Sequence, residues 1–155
     1  MDTLIYQRQF KTPRLPFLIG YSGLIPFVVL STALWFVPAT TQALINQALL
    51  LYASLILAFM GAVHWGLAMQ SFSPSRHHQL GISVIPPLVA WFAFYLPEIL
   101  NYSILIIAFA LLCLYDTRMA KNGDAPGWYP RLRTPLTAIV VVSLIVAQWQ
   151  YMLIH

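Results

Sequence analysis

A chain of 155 residues that is 60% hydrophobic and only 8% charged, with a mean hydropathy of +0.76, lies far from a soluble domain, where about 25% of residues carry charge. The composition excludes an ordinary soluble enzyme and reads as one integral membrane domain spanning 1–155. The net charge of +4 does not make it a nucleic-acid binder, because eight Lys and Arg scattered between apolar runs form no basic face.

The N-terminus, "MDTLIYQRQFKTPR", places basic residues ahead of an apolar run, as a signal peptide does. That run continues for about 20 residues without a small-residue cleavage site, so it reads as an uncleaved first span. A spanning helix needs about 20 mostly apolar residues, each rising about 1.5 Å through a core about 30 Å thick. Five segments qualify: about 16–37, 43–69, 80–96, 99–117 and 135–154. The expected fold is therefore an all-α bundle of five transmembrane helices.

Pro16 suits the first turn of the first span, and Thr134 followed by Pro135 reads as an N-cap and first residue of the fifth. Only "PE", Pro97 and Glu98, separates the third and fourth spans, which makes them an antiparallel hairpin. The longest connection, "RMAKNGDAPGWYPRLR", joins the fourth and fifth.

Charge sets the orientation. Arg8, Lys11 and Arg14 precede the first span, Arg76 lies between the second and third, and Arg118, Lys121, Arg131 and Arg133 lie between the fourth and fifth. In a five-span topology all of them fall on one side. The positive-inside rule then predicts a cytoplasmic N-terminus and an outside C-terminus.

The second span carries "AFMGAVHWGLAM". Ser54, Ala58, Ala62 and Gly66 recur every four residues as a small-residue ridge. A second face holds Leu57, Gly61, His64 and Ala68, so neighbours are expected on two sides. Prolines interrupt other spans: Pro26, after Gly20 and Gly23, and the pair Pro86–Pro87. Each frees a backbone carbonyl, as a packed kink or as a hinge beside a cavity.

Ionisable groups within spans are costly and face the bundle interior or a water-filled cavity. His64 lies about 9 Å short of the cytoplasmic end of its helix at the helical rise, and Asp116 lies near the same end of the fourth span. The following loop returns Trp128, Tyr129, Arg131 and Arg133 to that side. One candidate cluster therefore contains His64, Trp65, Asp116, Arg118, Trp128, Tyr129, Arg131 and Arg133.

Within it, His64 is expected as a buried neutral ring bonded to a neighbouring helix, with proton relay or substrate binding, and metal or haem ligation, as alternatives. Asp116 and Arg118 are two apart on a helix and point different ways, so the partner expected for Asp116 is Arg131 or Arg133. The aromatic and basic residues of the loop read as an interfacial belt or as an anionic head-group site. His77 and His78 are expected as exposed loop residues.

Neither GxSxG, HExxH, GxxxxGKS nor GxGxxG occurs, and Glu98 stands across the membrane from Asp116, so carboxylates are not paired. Cys113 is the single cysteine, which rules out an intrachain disulfide. No metal and no cofactor are expected.

The elements "GYSGLIPF", "FMGAVHWGLAM" and "YDTRMAKNGDAPGWYPRLRTPLT" together resemble domain-of-unknown-function family 3429, small bacterial inner-membrane proteins related to a mitochondrial protein named transmembrane protein 69. The family's G-x-x-G-L-I-P-F element falls on Gly20, Gly23 and Pro26, and its H-W-G element on His64, Trp65 and Gly66. Its acidic and W-Y…L-R elements fall on Asp116, Arg118, Trp128, Tyr129, Arg131, Leu132 and Arg133. Gly61 and Ala62 stand where the family often shows paired glycines. The resemblance implies a membrane protein and a residue cluster, not a reaction. The expected role is non-enzymatic: binding a lipid or assisting a membrane protein partner. A small proton- or solute-linked transporter and a membrane enzyme or redox protein using His64 are the alternatives.

Overall fold

The computed structural model describes residues 14–70, 76–123 and 125–154. Asp2, Arg8, Lys11, the stretch 71–75, Asp124 and His155 lie outside them. Among the described residues every regular element is a helix: α1 Arg14–Ser22, α2 Ile25–Ala33, α3 Ala39–Gln70, α4 Arg76–Ala93, α5 Glu98–Lys121 and α6 Tyr129–Ile154. Counting the broken first span as one, these are the five expected helices.

Four are long and apolar enough to cross a membrane: Leu15–Ala33, Ala39–Met69, Glu98–Lys121 and Tyr129–Ile154. The remaining helix, α4, has 18 residues and opens on Arg76-His77-His78-Gln79. Its apolar part alone is shorter than a bilayer core, which is about 30 Å thick.

The first span breaks between α1 and α2 because Pro26 brings no N–H to the ladder. Gly23 N–H still reaches Ile19 O at 3.1 Å, and Leu24 N–H closes a tighter turn on Tyr21 O at 3.1 Å. The Gly23 carbonyl left over at the break accepts the Tyr52 hydroxyl of α3 at 2.9 Å. The kink is thus packed against α3, which bonds one of its carbonyls.

The prolines of α4 do the same work differently. The helix runs through Pro86 and Pro87, and Pro87 frees the carbonyl of Ser83, one turn back. That oxygen faces Gly61 of α3: a Cβ built there would lie 2.5 Å from it and 2.9 Å from Pro87 Cδ. Two backbones therefore touch where α3 and α4 cross, which only glycine permits.

Along α3, Leu57, Gly61, His64 and Ala68 are all buried. The ridge expected at Ser54, Ala58, Ala62 and Gly66 is buried only at Ser54, half-buried at Ala58, and exposed at Ala62 and Gly66. A Cβ on Gly66 would meet nothing within 4 Å, so Gly66 is not a packing residue. Gly20, by contrast, admits α6: its Cβ would lie 3.0 Å from Leu136 and 3.3 Å from Leu132.

The last helix corrects another boundary. It begins at Tyr129, six residues before Pro135, because the Tyr129 N–H closes a turn on Pro126 O at 2.9 Å and Pro130 occupies the first turn, where its missing N–H costs nothing. Thr134 is thus a helical residue rather than a cap, and Pro135 lies inside the helix. Arg131 and Arg133 sit on helix rather than loop. The start of α4 at Arg76 likewise moves His77 and His78 from loop onto helix, both exposed.

The core joins α3, α5 and α6. Leu49, Ala53 and Leu57 meet Leu105, Phe109 and Leu144, each 1% exposed or less, and Phe27 of α2 packs edge-on against Phe109 and Tyr52. In lipid such packing is held by shape and hydrogen bonds rather than by expulsion of water.

Gly61→Ala is expected to destabilise the protein by about 1–3 kcal/mol, the range for forcing a methyl into a filled contact. Gly66→Ala, at an open helical position, should be neutral or stabilise by up to about 1 kcal/mol. Thermal unfolding of both variants in one detergent checks the contrast.

Candidate functional site

Three helices deliver one ionisable side chain each to a single point. Asp116 of α5 is fully buried, with Oδ2 accepting a hydrogen bond from Arg133 Nε of α6 at 2.6 Å. Its other oxygen, Oδ1, stands 2.9 Å from His64 Nε2 of α3, whose ring is also fully buried. That second approach is close but out of line for a straight hydrogen bond. The carboxylate is thus shared between a permanent cation and a ring that is charged only when protonated.

Helical spacing explains which residues enter. Asp116 points in while Arg118, two positions on, is exposed; Arg133 points in while Arg131 is exposed. His64 is buried while its neighbours Trp65 and Gly66 are exposed. Of the expected cluster, the structure therefore brings together His64, Asp116 and Arg133, with Tyr129 buried beside them at the head of α6. Trp65, Arg118 and Arg131 are not part of that interior and stand on the surface. Trp128 is half-buried, its ring 6.4 Å from Phe17 of α1 and 6.2 Å from Tyr129.

Several polar atoms around the triad have no hydrogen-bond partner: His64 Nδ1, Arg133 Nη2 and, one turn further along α6, Thr137 Oγ1. Tyr115 packs edge-on against His64 with ring centroids 5.3 Å apart. Among the described residues no three His, Cys, Asp or Glu gather closely enough to hold a metal ion. Chemically, the triad can hold a proton on His64, fix three helices in register, and offer donors to a water or small acceptor.

A second polar node lies at the opposite end of the same helices. Tyr102 donates to Asn46 Oδ1, and Asn46 Nδ2 donates to Glu98. Nearby, Gln150 Nε2 reaches Leu34 O at 3.0 Å and Gln148 Nε2 reaches Ser103 Oγ at 2.8 Å. This node was missed as a site because Glu98 looked like a turn residue. Its signal is nevertheless there: Glu98, Asn101 and Tyr102 fall at i, i+3 and i+4 on one helical face, and Asn46 is a polar residue close to a long apolar run.

The family model described as "Protein of unknown function (DUF3429)" matches residues 12–149. "Transmembrane protein 69" of Xenopus tropicalis is 29% identical over 135 residues, covering 86% of this chain and 53% of the relative. The protein of the same name from Mus musculus is 26% identical over 137 residues, covering 87% of this chain and 56% of the relative. The chain spans about half the length of these curated relatives. No solved structure matches.

Removing the shared carboxylate leaves a guanidinium buried without its counter-ion. Asp116→Ala is expected to cost about 3–5 kcal/mol, as for other broken buried pairs, whereas Arg118→Ala at the exposed neighbour should change stability by less than about 0.5 kcal/mol. Pairing Asp116→Ala with Arg133→Met should recover part of the loss. Unfolding midpoints in detergent for the two single variants and the double check all three.

Proposed function

We propose that this chain, which belongs to the DUF3429 family, is a non-enzymatic multi-pass membrane protein that binds anionic lipid at its basic end and so supports a membrane complex. The observation that carries this is the division of the charged cluster. His64, Asp116 and Arg133 are buried against one another, while Trp65, Arg118 and Arg131 are exposed and Trp128 is half-exposed beside them in sequence. Inward groups hold the fold; outward groups meet the bilayer interface, where Trp and Arg suit head-group phosphate.

The localisation that goes with this reading is a bacterial cytoplasmic membrane, as the family resemblance implies, and the charge asymmetry supports the basic end, and hence the N-terminus, on its cytoplasmic side. Asp116 supports the non-enzymatic role: both of its oxygens face protein cations or a protein ring at close range, which leaves, among the described residues, no exposed carboxylate at this end for acid–base work on a substrate.

A proton- or solute-linked role for His64 has one observation of its own, the unpartnered Nδ1. The core between the two polar nodes opposes it. From Asn46 to His64 along α3 is about 27 Å at the helical rise, and the side chains between α3, α5 and α6 over that distance include the fully buried Leu49, Ala53, Leu57 and Leu105.

Native mass spectrometry in detergent with added phosphatidylglycerol tests the lipid role. Arg131→Gln and Trp128→Ala should each reduce the number of lipid adducts, by about fivefold in affinity for the Arg, the ratio for one basic residue near an anionic surface. Adduct numbers unchanged in both variants overturn it. Proton flux in liposomes that is lost in His64→Leu would instead establish the transport role.

A further inference from the structure

An apolar groove of about 390 Å³ opens between α4 and α5, with Leu57 of α3 as its floor. Ile82 and Val89 line it from α4, and Ile104, Ala108 and Tyr115 from α5. We propose that this groove holds one acyl chain of a single anionic phospholipid from the leaflet on the basic side, with the phosphate at its His78–Arg118 end. The proposal deepens the lipid-binding role above and rests on it.

Length supports this occupant. From Ile104 to Tyr115 the groove follows α5 for about 16 Å, and one leaflet of hydrocarbon is about 15 Å deep, half of a core about 30 Å thick. A groove of that length takes one extended acyl chain, running from about 9 Å inside the Lys121 end of α5 to about 9 Å inside its Glu98 end.

Charge supports it independently. One turn beyond Ile82 towards the start of α4 is His78, and one turn beyond Tyr115 towards the end of α5 is Arg118, each continuing the lining stripe of its own helix. The two stripes converge at that end: the His78 and Tyr115 rings lie 6.3 Å apart. His78 and Arg118 are both exposed, as is Lys121 at the last turn of α5. The nearest described acid at this end, Asp116, is buried on Arg133, and Glu98 is at the other end of α5. An anionic head group therefore meets cations at the groove mouth and no exposed carboxylate among the described residues.

Groove and rim are separable by substitution. Ala108→Phe fills the groove, and Val89→Phe fills it from α4 should the first variant not fold. Ala110→Phe puts the same ring on an exposed position of α5 outside the lining. Native mass spectrometry is run on each variant with phosphatidylglycerol and with phosphatidylcholine, at collision energies that strip loosely held lipid.

The wild type is expected to retain one phosphatidylglycerol, about fivefold more readily than phosphatidylcholine. The groove-filling variants should lose that retained lipid while Ala110→Phe keeps it, and Arg118→Gln should bring the two lipids to parity. Retention unchanged by Ala108→Phe and Val89→Phe, or lowered as much by Ala110→Phe, overturns the groove. Equal retention of the two lipids by the wild type overturns the anionic head group. Failure of the rim shows elsewhere, as loosely held adducts indifferent to Arg131→Gln.

Discussion

A carboxylate buried among membrane helices is stable as an anion only if the protein surrounds it with donors and positive charge, because the bilayer supplies neither. Asp116 is placed in that position, and its two oxygens call on two different helices: Arg133 of α6 on one side and His64 of α3 on the other. The rotation of three helices about their own axes is thereby set at the basic end. Turning any one of them by a single residue, 100° at helical pitch, would bring in a neighbour such as Trp65 or Thr117 and take the ionisable partner away.

The second node gives the same helices a partner constraint at the far end, through Asn46 on α3, and Glu98 and Tyr102 on α5, while Gln150 of α6 bonds the carbonyl at the end of α2. Between the nodes the contacts are apolar and non-directional. Directional bonds at both ends and close packing in the middle define a register that van der Waals contact alone leaves degenerate in lipid. The backbone crossing at Gly61 adds α4 to this frame, and the approach at Gly20 adds α1.

Much of this was legible in the chain. Scarcity of charge made the partner of Asp116 a choice between Arg131 and Arg133, and the structure selects Arg133. The i, i+2 spacing separates Asp116 from Arg118 and helical periodicity separates His64 from Gly66, but Trp65, expected in the cluster with His64, stands 100° from it and does not share its face. The contiguous motif misled because adjacency in sequence is divergence on a helix. The start of α6 was misplaced because two proline signals compete there, Pro130 and Pro135, and propensity does not say which is used; the turn closed by Tyr129 N–H on Pro126 O decides it. The touching of Gly61 and the Ser83 carbonyl was beyond sequence reasoning, since it depends on where α3 and α4 cross.

The hydroxyl of Tyr52 on the Gly23 carbonyl carries a consequence for how the protein is made. The break in the first span is created as soon as α1 and α2 form, but its hydrogen-bond donor is on α3, 29 residues later in the chain. A carbonyl without a donor in hydrocarbon costs several kcal/mol. The first span is therefore a poor solitary guest in the bilayer, and the order of synthesis favours its entering, or settling, together with α3. What looks in the finished fold like a local repair is, during biogenesis, a coupling between the first two passages of the chain through the membrane.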